Sequence, residues 1–228
     1  MSARFRTRLT MLGVALWPLL IGPSVTAMPA ADRVCAPTSM IKVVTSMDVP
    51  GLPHSHFVRV PKTLYRFGDG LGRVEESLNP ETGLHLLIVV AEPHVWMVDR
   101  ATGRGKYQRD PGPTYFFQAR IFGDPSIKSA LINALEFGCE TAWLTAAGAA
   151  RSKHTHPTLG PVERLEYREG QDAVVLYVRS GRPVRVELHR SGDLQVGIDY
   201  LQYQSDLPLD RSLFERPAGV KFSGEARP

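Results

Sequence analysis

Apolar and polar residues alternate most clearly in the last third of the chain. The apolar positions form two stretches joined by a turn at 191–193, and polar or charged residues stand between them. This period of two predicts an antiparallel hairpin with one apolar face. Short runs rich in β-branched or aromatic residues, separated by turn residues, predict further strands. The predicted strands are 64–67, 72–76, 84–90, 95–98, 114–119, 162–167, 173–178, 184–188 and 194–203.

The period changes between Asp124 and Gly148, where apolar residues recur every three or four positions. Asp124 as the N-cap and Pro125 as the first helical residue predict a helix that is broken near Gly138. Strands on both sides of one helical stretch, with hairpin-length connections, favour an α+β fold. We expect a strongly curved antiparallel sheet, partly filled by helix from 124–148 and from whatever precedes Leu64.

The first 27 residues have the three regions of a secretory signal peptide. Arg4, Arg6 and Arg8 precede the apolar run 11–21, and small residues lie just before position 28. This run is shorter than the roughly 20 apolar residues that span a bilayer. The sequence therefore predicts cleavage after residue 27 and a single periplasmic domain at 28–228.

Cys35 and Cys139 are the two cysteines of the chain. Charged residues before Cys35 argue against a lipid-attachment site. In an exported protein two cysteines most often pair, so we expect a Cys35–Cys139 disulfide, with two free buried thiols as the alternative.

The net charge of the predicted mature chain is close to neutral. Removal of the three leader arginines leaves 24 basic residues against 23 acidic ones. The sequence also has no basic stripe interleaved with aromatic residues, and we therefore expect no nucleic-acid partner.

The C-terminal sequence resembles the closing segment of LolA-like proteins, a superfamily of periplasmic lipoprotein and lipid carriers. The likeness lies in the Asp-x-x-Leu-Phe element at 210–214 and the Pro-x-Gly-Val element at 217–220, which follow the last long strand. It extends over residues 172–222 and is only topological before them, where the chain looks more like an uncharacterised bacterial branch. The resemblance implies an incomplete β-barrel wrapped around helices, with an apolar cavity that shelters acyl chains.

Strand alternation combined with this resemblance predicts which residues line the apolar groove. The alternative is that the same side chains only pack against the helix as core. The stiff sequence at 110–113 predicts a structural turn, and the alternative is a rigid rim that positions the aromatic residues at 115–117 at the mouth of the cavity. The groove candidates are Trp96, Val98, Tyr115, Phe116, Leu176, Val186, Leu188, Val196, Ile198 and Tyr200.

Residues that carry enzyme chemistry are sparse. His54 with His56, and His154 with His156, place imidazoles two residues apart, and four such nitrogens could hold zinc or copper. Neither pair has a further ligand at a recognised spacing, and the adjacent prolines favour solvated loops. No Gly-x-Ser-x-Gly element is present. We therefore expect no metal, no cofactor and no catalytic residue.

The sequence predicts a periplasmic, non-enzymatic carrier or binding protein for a lipid or a lipid-modified protein, with peripheral contact to envelope membranes. Its oligomeric state is not predicted. Two alternatives stay open: an envelope enzyme or enzyme subunit, metal-assisted through the His pairs, and a structural interaction module whose groove is filled by its own side chains.

Overall fold

Twelve strands form one sheet in the computed structural model, which describes residues 35–109, 131 and 134–224. The order across the sheet is β12-β6-β5-β4-β3-β2-β1-β11-β10-β9-β8-β7, and only the β12–β6 pair is parallel. The strands are β1 Met40–Asp48, β2 Lys62–Phe67, β3 Leu71–Glu75, β4 Leu86–Ala91, β5 His94–Asp99, β6 Arg104–Arg109, β7 Ala150–His156, β8 Gly160–Glu169, β9 Asp172–Arg179, β10 Arg182–Arg190, β11 Asp193–Leu207 and β12 Lys221–Ser223.

The sheet is strongly curved, as the sequence predicts. Val74 and Val90 from one half belong to the same buried apolar cluster as Leu176 and Ile198 from the other half. One face of both halves can share a core only if the sheet curls around it, and we call this the inner face. The two end strands, β7 and β12, do not pair with each other in the described part of the chain, so the sheet is unclosed.

The helical contribution is smaller than expected. The described residues hold one α-helix, α1 at Glu140–Ala146, and Leu131 and Ala134 are also helical. The predicted break is confirmed at Gly138, which has a φ of +82°, a value that L side chains rarely adopt. The predicted cap at Asp124, the rigid turn at 110–113, the strand at 114–119 and the leader at 1–27 lie outside the described residues.

The described residues before Leu64 form β1 and a short 3-10 turn at Phe57–Arg59, and not the predicted helical filling of the sheet. β1 lies at the middle of the sheet, with Val43 opposite both Leu64 of β2 and Tyr203 of β11. Ile41, Val43 and Met47 alternate with more exposed residues and bury one side of the strand. This period of two is present in the sequence, but the polar residues among them weaken the signal.

The C-terminal segment returns across the outer face of the sheet. A 3-10 turn at Arg211–Phe214 buries Phe214, and the Leu213 carbonyl accepts a hydrogen bond of 2.9 Å from Arg73. β12 then adds to β6, with Phe222 packing over Gly105. The motif that resembles LolA-like proteins therefore covers the outer face. Among the described residues, no helix is long and apolar enough to cross a membrane.

Candidate functional site

Six of the predicted groove residues lie together on the inner face. Val186 of β10 stands between Leu176 of β9 and Ile198 of β11, and Leu188 lies opposite Val196. All six are buried and belong to one apolar cluster. We call Leu176, Val186, Leu188, Val196, Ile198 and Tyr200 the inner wall.

Trp96 and Val98 lie on the opposite face, so the expectation that they share a surface with the inner wall is wrong. They pack with Leu87 and Val89 in a separate cluster beneath Phe222. Apolar residues occupy both faces of β5, and the sequence pattern therefore does not show which face is exposed to solvent. Asp99 does not mark that side, because its carboxylate accepts hydrogen bonds from the turn that follows the strand. Tyr115 and Phe116 lie outside the described residues.

A short segment covers the inner wall. Leu131 and residues 134–146, which we call the plug, contribute Leu131, Leu135, Phe137 and Leu144 to the same apolar cluster. Trp143 lies at the side and meets the ring of Tyr167 edge-on, with 5.7 Å between the centroids. The inner wall therefore contacts protein side chains, as the core alternative expected.

A disulfide fixes the plug at the start of α1. Cys35 and Cys139 are bonded with 5.6 Å between their Cα atoms, which confirms the predicted pairing. Cys139 directly precedes the first residue of α1. The bond therefore ties the chain before β1 to the part of the plug that enters the curved sheet.

Arg66 is a second anchor of the plug, and it is 3% exposed. It donates a 2.8 Å hydrogen bond to the Phe137 carbonyl and forms a 2.6 Å ion pair with Glu136. A buried cation is tolerated only where such partners replace water. The β2 strand thus holds the loop in which Gly138 turns the chain towards α1.

Glu140 and Tyr200 connect the plug to the inner wall. The Tyr200 hydroxyl donates a 2.5 Å hydrogen bond to Glu140 Oε1, and the Gly138 N–H donates one of 2.9 Å to Oε2. Burial raises the pKa of Glu140 above its ordinary value of 4.5. Burial and the nearby carboxylate raise the pKa of Tyr200 well above 10.0. A titratable pair therefore lies at the centre of an apolar contact.

Replacing Glu140 by Gln should remove part of the pH dependence of stability. Because the pKa is higher in the folded state, the unfolded state loses its proton first, and the free energy of unfolding falls as pH rises above about 4.5. Glu140→Gln should resemble the parent in acid and become relatively more stable at higher pH. Urea titrations between pH 4 and 8 measure this, with Glu81→Gln on an exposed turn as control. If the free energy of unfolding depended on pH in the same way for Glu140→Gln and for the parent, the prediction would be contradicted.

A hollow of about 590 Å³ opens beside α1. Glu140, Thr141 and Thr145 line it from the plug, and Pro183 and Tyr203 line it from the sheet. Burial raises the pKa of the Tyr203 hydroxyl above its ordinary value. The hollow is the point where the boundary between plug and sheet reaches the surface.

His56, His154 and His156 make local contacts. His56 Nδ1 accepts a 3.2 Å hydrogen bond from the Val58 N–H at the start of a 3-10 turn. His154 and His156 lie on β7, and not in the expected loop, and both rings lie near that of Tyr177. Among the described residues no three His, Cys, Asp or Glu side chains are placed to hold a metal ion.

Replacing His54, His56, His154 and His156 together by Gln should leave folding and ligand retention intact. The free energy of unfolding should fall by a few tenths of a kcal/mol to about 1 kcal/mol, because the variant lacks the His56 cap and the contacts with Tyr177. Thermal unfolding measures the stability of the variant, and metal analysis of the purified protein measures any bound metal. Loss of a stoichiometric metal together with loss of activity would overturn this expectation.

Sequence reasoning missed Arg66, Glu136 and Glu140. An isolated charged residue is expected at the surface, and the apolar pattern around each of these residues gives no sign that its side chain is buried. The adjacency of Glu140 to Cys139 is the only signal in the sequence, because a residue next to a buried disulfide is fixed close to the core.

Comparison with known proteins gives structural likenesses only. No family model matches the chain, and no curated protein matches its sequence. Similar solved structures include an uncharacterized conserved protein from Thermus thermophilus, with 13% identity, coverage of 82% of this chain and 90% of that chain, and a TM-score of 0.47. The MucA/MucB complex of Pseudomonas aeruginosa matches with 12% identity, coverage of 80% and 57%, and a TM-score of 0.39.

A LolA superfamily protein from Nitrosomonas europaea is also similar, with 11% identity, coverage of 81% of this chain and 92% of that chain, and a TM-score of 0.33. At these identities and TM-scores the likenesses are structural only and assign no function.

Proposed function

We propose that this protein is a non-enzymatic periplasmic carrier that binds a lipid or a lipid-modified protein against the inner wall when the plug moves aside. The observation that carries the proposal is an extended apolar wall covered by a short segment with a few polar anchors. An acyl chain offers the same non-directional contacts as the plug side chains and can replace them.

The anchors divide the plug into a fixed and a movable part. Cys139, Glu136 and Glu140 hold its middle through the disulfide and the bonds to Arg66 and Tyr200. By contrast, the Leu144 side chain contributes only apolar packing, and α1 has two residues beyond it before it ends at Ala146. Movement about the fixed middle would expose wall residues and widen the hollow beside α1.

A buried hydroxyl on the inner face supports a ligand with a polar end. Thr45 of β1 lies opposite Tyr200 and is 1% exposed. Its Oγ1 has no hydrogen-bond partner among the described residues. An unpaired buried hydroxyl costs about 1 to 3 kcal/mol, and an ester or carboxyl oxygen of a bound lipid would satisfy it.

The test compares two core substitutions of equal chemistry. Leu144→Ala weakens the plug, whereas Leu87→Ala removes the same side chain from the outer-face cluster. Each should destabilise the fold by about 2 to 5 kcal/mol. Only Leu144→Ala should bind a fluorescent fatty-acid probe more tightly than the parent, because it lowers the cost of moving the plug.

Mass spectrometry of organic extracts from natively purified protein should find lipid at near-stoichiometric amounts. If extracts contain none and neither variant binds the probe, the carrier proposal fails and the inner face is a closed core of an interaction module. An equal increase in probe affinity for Leu144→Ala and Leu87→Ala would also contradict the proposal. In that case general destabilisation of the fold, and not movement of the plug, would explain the binding.

A further inference from the structure

The two ends of the sheet differ in how much free edge they present. β12, at one end, has three residues. β7, at the other end, has seven residues and pairs only with β8 among the described residues. Six of the seven are exposed, and their register with β8 has no bulge. Within the described part of the chain this edge is long, regular and unpaired on its outer side, and such an edge is unusual, because its outward N–H and C=O groups are ready to pair with another chain.

The basic side chains of β7 favour an acidic partner. β7 carries Arg151, Lys153, His154 and His156 and no acidic residue. The carboxylates behind it on β8 already have basic partners, since Glu163 pairs with Arg151 at 3.1 Å and Glu166 pairs with Arg164 at 2.5 Å. Lys153 makes none of the ion pairs found in the described part of the chain. A second copy of β7 would bring like charges together, which disfavours pairing between two copies.

We infer that the free edge of β7 binds an extended acidic segment of a partner protein, which adds to the sheet as a further antiparallel or parallel strand. Backbone hydrogen bonds supply the affinity in this mode, and alternate side chains supply the selection. Side chains on one face of the added strand would meet Arg151 and Lys153, and those on the other would meet His154 and His156.

The surroundings of β7 leave room for such a strand. An open hollow of about 800 Å³ is lined by residues 151–155 of β7, by the start of β8 and by the turn between β9 and β10. Alternate side chains of the added strand can enter it without displacing the core, because Val178 and Leu165 stay buried beneath. None of the residues that line this hollow belongs to the inner wall, so the inference does not depend on lipid binding.

The first experiment measures binding to a fluorescein-labelled peptide of alternating Glu and Thr, about as long as β7, by anisotropy with the full chain. Lys153→Glu should weaken binding about tenfold, from loss of attraction and added repulsion. Lys106→Glu on β6, an exposed lysine with the same change of charge, should leave binding unchanged. Equal weakening by both variants, or no binding at about 1 mM peptide, overturns the inference.

The second experiment separates strand addition from simple charge attraction. Two versions of the peptide carry N-methyl groups on odd or on even residues only. A peptide that pairs along one edge uses the N–H groups of one parity, so one version should lose binding and the other should keep it. Amide hydrogen exchange of β7 should slow in the complex. Equal binding of the two versions, or unchanged exchange in β7, shows that no strand is added.

Discussion

Replacing Cys35 and Cys139 by alanine should lower the free energy of unfolding by roughly 4 to 5 kcal/mol, because the bond closes a loop across a sequence separation of 104 residues. The loss acts mainly on the unfolded chain, which gains the conformations that the crosslink removed. A loss of this size is comparable to half of the total stability of an ordinary domain.

Urea unfolding of the double variant and of the parent, each with and without reductant, measures this effect. The reduced parent should match the double variant, and reductant should not change the variant. The plug should also become more sensitive to protease at residues 134–146, because Cys139 no longer fixes its middle. A parent whose stability is the same with and without reductant would contradict the expected role of the bond.

A carboxylate introduced at Ile198 should destabilise the protein by about 4 kcal/mol or more, or keep the fold and abolish binding of an acyl probe. Ile198 is 1% exposed and belongs to the same apolar cluster as the plug. Ile198→Asp therefore buries an unpaired charge if the plug stays in place. If the plug moves and water reaches the carboxylate, the fold is kept, but the inner wall carries a charge and no longer binds an acyl chain.

Leu201→Asp on the same strand is the matched control, because Leu201 is 59% exposed. It should change neither stability nor probe binding by more than about 0.5 kcal/mol. Circular dichroism and urea unfolding report the fold, and fluorescence titration reports binding. A folded Ile198→Asp protein that binds the probe as tightly as its parent would reject both roles, core and groove.

The hairpin of β10 and β11 could be predicted from the sequence because most of its apolar residues alternate with polar ones. In both strands most apolar residues fall on the inner face, and charged residues such as Arg185 and Glu187 fall on the other, where they pair at 2.7 Å. Val184 is an exception, because it packs with Val175 and Tyr177 in a separate cluster. The disulfide could also be predicted, since two cysteines leave one pairing. The curved antiparallel sheet followed from these strands and their short connections.

Other parts of the fold carry no comparable signal. β6 and β7 have hardly any buried residues, so their polar sequences resemble those of loops. β5 is apolar on both faces, and the face predicted for Trp96 and Val98 is therefore wrong. The polar contacts of Arg66 and Glu140 depend on segments about 70 and 60 residues away in the chain, and local sequence cannot place such partners.

The position of β1 between β2 and β11 has a consequence for the rate of folding. β1 is among the earliest strands of the chain, yet Thr45 lies opposite Tyr200. The middle of the sheet therefore cannot close until β11 has formed, and such long-range pairing is entropically slow. Until then β1 exposes an unpaired apolar edge, which is prone to aggregate. We expect refolding to be slow for a chain of this length, and a chain truncated before β11 to aggregate instead of folding its first half alone.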